Sequence, residues 1–543
     1  MTNSGILIVA TLALPLAMLA ACLSQRARER IPALLAFAPL PAVLAALNEF
    51  DGTTLVLPRA LLGLTFVIDR FGAMLLGASA LLWMAAGAYA ETFLRSDPNR
   101  ERFAVWWLMT LTGSVGIFMA ADLVSFYLFF TLVSLAAYGL VVFDESPAAK
   151  RAGALYVALA LLGEALLLMG FVLLASGSPN GSLLISDAAA ALANSPWRDA
   201  ALTCLILGFG LKIGLVPLHV WMPLAYTAAP IPAAAVLSGA AVKAGVIFVR
   251  FLPFEGAAPD WGGALVAVGF FSAFYGVAIG ITQSNPKTVL AYSSVSQMGL
   301  LAAVIGMGMI AGDQNVTTAM IFYAAHHTLV KGGLFLAIGV AALAGTHARQ
   351  LVLLPASIIA LGFGGLPLTG GALAKYLIKT PLGDGLAGTL GNLSAIASTV
   401  LMLHFLNRLW DSVPRDSRKT APMGLVLPWL TIAIAAIALP WSYYLLVVGG
   451  SFSEALVPKA LWDGLWPILI GGALAVALRR WQSSLPHIPP GDVLVFGERA
   501  MPVVSAFGVA MEGFDLRLRR WPVAGVLFLV LTMVLVGAML AGR

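Results

Sequence analysis

Apolar runs of about 20 residues follow one another along most of the chain, and they constrain its fold more than any other feature. Each run is long enough to cross the roughly 30 Å hydrocarbon core of a bilayer as an α-helix. Only 10% of the 543 residues are charged, whereas a soluble domain has about 25%. The sequence therefore predicts an all-α polytopic membrane protein with about 14–16 transmembrane helices.

Polar turns and turns rich in glycine or proline separate the runs and set the predicted boundaries. The predicted helices lie near residues 5–23, 31–47, 69–90, 103–121, 123–143, 152–176, 199–226, 233–253, 264–282, 288–310, 318–343, 351–378, 388–407, 423–447, 463–478 and 521–541. The connector 479–520 mixes charges, prolines and an apolar–polar alternation, which is typical of an amphipathic helix on the membrane surface. A solvated loop is the alternative for this connector.

Arginine and lysine are concentrated in every second loop of this arrangement, including residues 26–30, 95–102 and 408–419. Cytoplasmic loops of membrane proteins carry such an excess of positive charge. With an even number of spans, the pattern predicts that both termini lie outside.

Four lysines lie inside runs that otherwise read as lipid-buried helix: Lys212, Lys243, Lys331 and Lys375. A lysine at the centre of a transmembrane helix costs about 2.5–3.5 kcal/mol on insertion scales. Such residues are tolerated where they face a polar, hydrated interior, and buried lysines exchange protons because their surroundings shift their pKa. The four lysines therefore indicate an internal charge path.

Two of the runs contain helix-breaking residues at matching places. Residues 208–226 contain Pro217 and Pro223, residues 362–379 contain Pro367, and both runs begin with Gly-Phe-Gly. Broken helices at corresponding places in two halves indicate inverted repeats around a site near the membrane midplane. Ordinary proline kinks are the alternative.

The segments that contain these residues resemble a known family, the antiporter-like, proton-translocating membrane subunits shared by complex I, membrane-bound hydrogenases and Mrp-type cation/proton antiporters. The resemblance covers roughly residues 65–410. It is carried by GLKIGLVPLHVWMPLAYTAAPIPAAAVLSGAAVKAGV, NPKTVLAYSSVSQMG, HHTLVKGGLFL and GLPLTGGALAK. It implies location in the inner (plasma) membrane of a bacterium and two inverted five-helix repeats. The predicted divisions are N-terminal helices over 1–102, repeats over 103–253 and 264–410, and C-terminal helices over 411–543.

The resemblance also implies a proton path. In the family, a lysine on the broken seventh helix pairs with a glutamate on the fifth. Further lysines or histidines then lead to a lysine or glutamate on the broken twelfth. Carried over by motif, the path in this chain consists of Lys212, Lys243, His327, Lys331 and Lys375.

The chain departs from the family at the fifth-helix glutamate, where it has Thr131. Threonine cannot hold a charge, but the next predicted helix carries Glu164 near its centre, at a depth similar to that of Thr131. We therefore expect Glu164 to replace the missing carboxylate and to pair with Lys212. The alternatives are a protonated Glu164 that only makes a structural hydrogen bond, and a path that no longer conducts.

Other polar residues are secondary candidates. His219 follows the first proline break, where it could hydrate a cavity or bond freed carbonyls, and Tyr323 lies one turn before His327. His326 adjoins His327, and only one of the two is expected to line the path because neighbouring residues point to different sides of a helix.

No motif for a cofactor is present in the sequence. GxGxxG, P-loop, CxxC and haem-ligand patterns are absent, and Cys22 and Cys204 both lie in apolar runs. The prediction is therefore no cofactor, no metal and no catalytic centre of its own, so that any redox chemistry occurs on partner subunits.

These observations predict a subunit that moves protons within a multi-subunit membrane complex, either in exchange for sodium or coupled to redox chemistry on its partners. One alternative is a proton-conducting partner that energises uptake of another solute such as inorganic carbon. Another is a non-conducting scaffold. No nucleic-acid partner is expected, because no uninterrupted run of basic residues is longer than two.

Overall fold

The structure, a computed structural model, describes residues 3–48, 51–60, 63–254, 259–345, 349–414, 420–480, 486 and 488–494. The N-terminal part contains α1 (Asn3–Ala21), α2 (Gln25–Arg28), α3 (Ile31–Leu34), α4 (Leu40–Asn48), β1 (Asp51–Leu57), β2 (Leu64–Asp69) and α5 (Arg70–Phe93). Next come α6 (Arg100–Met119), α7 (Leu123–Val141), α8 (Pro147–Gly177), α9 (Ile185–Leu192), α10 (Arg198–Ile213), α11 (Trp221–Ala228), α12 (Ile231–Gly239) and a 3-10 segment (Ala241–Phe251). The chain continues with α13 (Pro259–Gly280), α14 (Pro286–Ala311), α15 (Val316–Leu343), α16 (Arg349–Gly362), α17 (Gly370–Leu382), α18 (Leu386–Asp411), α19 (Met423–Tyr443), α20 (Phe452–Ala455) and α21 (Pro458–Arg479).

The predicted all-α membrane fold is confirmed. Among the described residues, 12 helices are long and apolar enough to cross a membrane. The shorter apolar helix α1 and the two broken pairs, α10–α11 and α16–α17, account for the other predicted spans up to residue 479. The predicted span 521–541 lies outside the described residues. Of the predicted surface helix at 479–520, only residues 479, 480, 486 and 488–494 are described.

A small β-structure was not predicted from the sequence. Strands β1 and β2 form an antiparallel hairpin, and β2 continues directly into α5. The chain between α6 and α7 joins this hairpin, because Ala121 N–H donates to Thr65 O (3.0 Å) and Thr65 N–H donates to the Asp122 carboxylate (2.6 Å). Ile185 N–H, at the start of α9, donates to Ala121 O (2.9 Å). This hairpin patch, residues 51–60, 63–69, 120–123 and 183–185, covers one end of the first half of the bundle, hereafter the hairpin end.

The first helix break lies between α10 and α11. Gly214 ends α10 with a positive φ of 73°, a left-handed conformation that glycine adopts without strain. Pro217 then prevents the helix from resuming, because it has no N–H to donate. The indole N–H of Trp221 donates to the carbonyl of Leu211 at 2.8 Å, which among the described residues otherwise accepts only a longer bond from Gly214 N–H (3.3 Å). The Trp221 side chain therefore supplies a hydrogen bond to a backbone carbonyl, which lipid could not do.

The second break, between α16 and α17, has the same construction. Gly365 has a φ of 101°, and Pro367 again stands where the helix fails to resume. The indole N–H of Trp441, on α19, donates to Leu368 O at 3.1 Å. In both predicted repeats the fourth membrane-spanning segment is the broken one. In the first repeat α10–α11 follows the spans α6, α7 and α8, with the short helix α9 in the connection. In the second repeat α16–α17 follows α13, α14 and α15. The inverted relation of the repeats and their boundaries stay predictions.

Candidate functional site

Lys212 lies in the last turn of α10, directly before the first break. Its ammonium donates a hydrogen bond to Ser134 Oγ on α7 (2.8 Å) and lies 5.1 Å from the ring centroid of Phe130. A hydroxyl and an aromatic face thus solvate the cation inside an otherwise apolar bundle.

Glu164 faces the interior from the middle of α8. Its side chain is buried (4% exposed), whereas Leu162 and Met169 are about half exposed on the opposite side of the same helix. A carboxylate at this depth is costly unless a cation or hydroxyl groups accompany it.

The surroundings of Glu164 supply such groups. Its carboxylate lies within range of electrostatic interaction with the hydroxyls of Thr131 and Ser134 and with the charge of Lys212. Its Oε1 atom makes no hydrogen bond to any described residue, so the carboxylate retains a free acceptor position beside the lysine. The structure thus places Thr131, Ser134 and Lys212 near Glu164, but the Lys212 ammonium donates to Ser134 Oγ, and a direct ion pair between Glu164 and Lys212 stays a prediction.

Close packing of α8 on α10 causes this juxtaposition. A Cβ atom added to Gly208 would lie 3.0 Å from the carbonyl oxygen of Gly163 and 2.7 Å from Leu167 Cγ. Gly208 lets the helix backbones approach closely, as small residues do in membrane bundles. Because Glu164 follows Gly163 and Lys212 lies one turn after Gly208, both side chains enter the same space.

A second contact links Lys212 to the 3-10 segment that carries Lys243. A Cβ atom added to Gly245 would lie 3.2 Å from both Cβ and Cγ of Lys212, so the lysine stem occupies the space that a larger residue would fill. A small cavity of about 10 Å³ adjoins this contact; among its lining residues are Lys212, Tyr226, Leu237, Ala241 and Val242. Its size is close to that of a single water molecule.

Lys243 and His327 are in direct contact at the centre of the bundle. The distance from Lys243 Nζ to His327 Nδ1 is 2.9 Å, and both side chains are completely buried. Lys243 belongs to the first half of the chain, and His327, on α15, belongs to the second. His327 Nε2 has no hydrogen-bond partner in the part of the chain that the structure describes. A charged lysine would donate to Nδ1 and place the imidazole proton on Nε2, whereas a neutral lysine could accept a proton from Nδ1.

Lys331 follows His327 by one turn on α15 and is also completely buried. Its ammonium donates to the backbone carbonyl of Leu290 on α14 (2.8 Å) and lies 5.2 Å from the Phe363 ring centroid, next to the second break. Lys331 therefore extends the polar row from the centre of the bundle toward α16–α17.

Lys375 ends this row, on α17 after the second break. Its ammonium lies 5.8 Å from the ring centroid of Tyr323, and it has no hydrogen-bond partner among the described residues. The Tyr323 hydroxyl donates to Gln297 Oε1, and Gln297 donates to Ser398 Oγ (2.9 Å). Tyr323 therefore belongs to a hydrogen-bonded network beside Lys375.

The remaining candidates lie near aromatic rings. The ring of His326 lies 5.9 Å from that of Phe363, and the ring of His327 lies 5.5 Å from it. His219 lies between the rings of Tyr275 (5.2 Å) and Tyr292 (6.1 Å). Of the two adjacent histidines, His327 is the one that contacts a buried lysine.

Two residues of this row were missed in the sequence: Ser134 and Gln297. Both are neutral residues in apolar helices, where a hydroxyl or amide usually bonds its own backbone or a neighbouring helix. The three-residue spacing from Thr131 to Ser134, which places both hydroxyls on one face of α7, was the available signal. Within the described ranges, no group of three or more His, Cys, Asp or Glu side chains could hold a metal ion.

The fold defines a polytopic membrane protein, and a row of lysines and histidines lies inside its helix bundle. The profile of the family described as "NADH:quinone oxidoreductase/Mrp antiporter, TM" matches residues 120–382. NADH-quinone oxidoreductase subunit N of Heliobacterium modesticaldum is 30% identical over 373 residues, which cover 64% of this chain and 77% of that protein. The chain belongs to this family of antiporter-like membrane subunits, and the predicted resemblance is confirmed.

Two further relatives show the breadth of the similarity. Hydrogenase-4 component B of Escherichia coli is 29% identical over 306 residues, or 53% of this chain and 45% of that protein. The chain thus spans about half the length of several of its relatives. A chain in the structure of the Mrp complex from Dietzia sp. DQ12-45-1b superposes with a TM-score of 0.69 and 22% identity, covering 88% of this chain and 99% of that one. At that identity, the match shows a shared fold.

Proposed function

We propose that this subunit moves protons across the membrane along Glu164, Lys212, Lys243, His327, Lys331 and Lys375. The contact between Lys243 and His327 carries the proposal, because at 2.9 Å it joins two buried titratable groups from the two halves of the chain. Protons pass between such groups when a change in a nearby charge alters which of them holds the proton.

The row also has separate ends, as a path through a membrane requires. Lys212 and Glu164 lie at the first break, and Lys375 lies at the second. Movement of Glu164 away from Lys212 would remove the stabilisation of the charged lysine, so that its proton moves toward Lys243 through the small cavity that Lys212 and Val242 line.

The complex around the subunit is also part of the proposal. The related proteins are named as components of hydrogenases, quinone oxidoreductases and antiporters, which supports other membrane subunits as partners. Sodium exchange or redox chemistry on those partners would drive transport. The arginine-rich loops support a bacterial plasma-membrane orientation in which the N-terminus and the hairpin end face outward.

Proton flux into liposomes that contain the gently solubilised complex tests the proposal. Lys243→Met keeps the apolar stem and removes the charge, and we expect it to lower flux at least tenfold. Lys459→Met is the matched control, because Lys459 is exposed at the start of α21 and should leave flux unchanged.

Two outcomes would contradict the proposal. Wild-type flux no higher than that of empty liposomes would favour the scaffold alternative. Equal flux in wild type and Lys243→Met would show that protons do not pass through the Lys243–His327 contact. Mass spectrometry of the same preparation identifies the partner subunits.

A further inference from the structure

A cavity lies between α17, α18 and α21, at the same end of the bundle as the hairpin patch. It offers about 160 Å³ to water-sized molecules, enough for several waters. Its polar lining consists of Lys375, Lys379, Asp384, Thr389, Asn392 and Asp463. Hereafter it is called the α17 vestibule.

Lys375 is the innermost charge of the α17 vestibule. Its Nζ atom is buried and has no hydrogen-bond partner among the described residues, although its side chain lines the cavity. A buried cation without an acceptor is costly, so a mobile acceptor in the same cavity would stabilise it.

Lys379 and Asp463 form an ion pair farther along the cavity wall. Lys379 Nζ lies 2.6 Å from the Asp463 carboxylate, and the side chains are 45% and 35% exposed. An ion pair this exposed contributes only about 0–1 kcal/mol, so it opens at small cost. Lys379 follows Lys375 by one helical turn, which is a rise of about 6 Å along α17. Asp463 would therefore change its ion-pair partner from Lys379 to Lys375 across a distance of about one helical turn along α17.

Helix α21 is held close to the second break. A Cβ atom added to Gly464 would lie 2.5 Å from the carbonyl oxygen of Gly365, so the residue after Asp463 touches the backbone of the break itself. A change at the break would thus be transmitted directly to Asp463. This helix lies outside both predicted repeats.

We propose that Asp463, on α21, gates the α17 vestibule by exchanging Lys379 for Lys375 and accepts the proton that leaves Lys375. This inference rests on the proposed proton path and adds a carboxylate to it. With the pair closed, Asp463 is bound to Lys379 and Lys375 is shielded from the mouth of the cavity.

The proton balance of release is simple. The Lys375 ammonium loses one proton, which forms an O–H bond on the Asp463 carboxylate and leaves a neutral amine. The neutral acid gives that proton to water in the α17 vestibule, and the regenerated carboxylate binds Lys379 again. A new proton then reaches Lys375 from the Lys331 side.

Thiol labelling tests the gate without measuring transport. Ala372 lines the α17 vestibule, so Ala372→Cys is placed in a full-length chain that carries Cys22→Ser and Cys204→Ser. We expect Asp463→Asn or Lys379→Met to increase the labelling rate by a membrane-impermeant reagent about tenfold. Asp199→Asn is the control, since Asp199 also pairs with a neighbouring base, Arg198. Unchanged labelling in both gate variants would overturn the gate.

Proton flux then tests the role of Asp463 as proton acceptor. We expect Asp463→Asn to lower flux at least tenfold, because the amide accepts no proton, whereas Lys379→Met should not lower it. Equal losses in the two variants would mean that the pair only stabilises the fold, and would overturn the acceptor role. If wild type does not conduct, the proposed function fails, and the labelling rates still decide the gate.

Discussion

At the scale of single residues, the unusual feature is the position of the carboxylate that accompanies Lys212. The sequence predicts that Thr131 stands where relatives have a glutamate, and in the structure the charge of Lys212 acts on the carboxylate of Glu164 on the neighbouring helix. The ammonium donates its hydrogen bond to Ser134 Oγ on α7, and Glu164 Oε1 makes no hydrogen bond to a described residue.

Replacement of the carboxylate tests this arrangement. Glu164→Gln should lower proton flux about tenfold, equivalent to about 1.4 kcal/mol in the barrier, because an amide cannot stabilise the charged lysine. The double variant Thr131→Glu with Glu164→Thr moves the carboxylate back to α7 and should restore flux to within threefold of wild type. Full flux in Glu164→Gln, together with loss of flux in Lys212→Ala, would exclude Glu164 from the path.

The charged members of the site could be predicted from the sequence, because a lysine in an apolar run is rare and costly. The neutral members could not. Ser134 and Gln297 look like ordinary residues of apolar helices, and only three-dimensional contacts reveal their partners. The contact of Lys243 with His327 spans 84 positions, and no local pattern predicts a contact at that separation.

At the scale of elements, the first break illustrates how unpaired backbone is accommodated in a membrane. The prolines and glycines in the sequence predicted both breaks. The hydrogen bonds from Trp221 and Trp441 to carbonyls at the breaks could not be predicted in this way. The 3-10 segment that carries Lys243 has 11 residues, far longer than the usual run of three or four, and its sequence contains no glycine or proline pattern that sets it apart from an α-helix. The hairpin was missed because its strands have only seven and six residues and lie in the connection between two long apolar runs, where the sequence predicts a loop.

The packing of α8 on α10 makes a matched prediction. Gly208→Ala should lower the unfolding free energy by about 1–3 kcal/mol, because its Cβ atom would press on Leu167 and on the Gly163 carbonyl. Gly163→Ala is the control, since its nearest neighbours would be 3.5 Å away, an ordinary contact. Thermal denaturation in detergent compares them, and equal midpoints would show that this packing is not tight.

The two indole bonds differ in burial, which gives a second matched pair. Trp221 is buried and Trp441 is partly exposed. Trp221→Phe should therefore cost about 1–3 kcal/mol of stability, because the Leu211 carbonyl loses its shorter bond where water does not reach and keeps the longer bond from Gly214 N–H. Trp441→Phe should cost less than about 1 kcal/mol, since water can replace the indole. Midpoints of denaturation that shift equally, or in the reverse order, would contradict this account.

At the scale of the whole molecule, the helices alternate in direction, and the loop charges orient them. The hairpin patch and the α17 vestibule lie at one end of the bundle. The connection between α5 and α6, with Arg95 in it and Arg102 in the first turn of α6, lies at the other end. The sequence predicted this alternation because each span is long and clearly bounded, with the exception of the broken ones.

Cysteine labelling in intact cells measures the orientation. In the chain with Cys22→Ser and Cys204→Ser, Gly385→Cys lies in an open position before α18 and should react with an impermeant reagent from outside. Asn99→Cys, before α6, should react only after the cells are permeabilised. The opposite pattern would reverse the orientation and place the α17 vestibule on the cytoplasmic side.

The hairpin patch gives the two halves of the subunit different access to water. Backbone hydrogen bonds among Thr65, Ala121 and Ile185 cover the hairpin end of the first half, whereas the corresponding end of the second half contains the α17 vestibule. A proton held at Lys212 would then reach the outside only by crossing the junction of Lys243 and His327. A proton would then move parallel to the membrane plane, from the first repeat to the second, before it leaves the membrane. Each transported proton would pass through both repeats, so the flux would depend on the state of each.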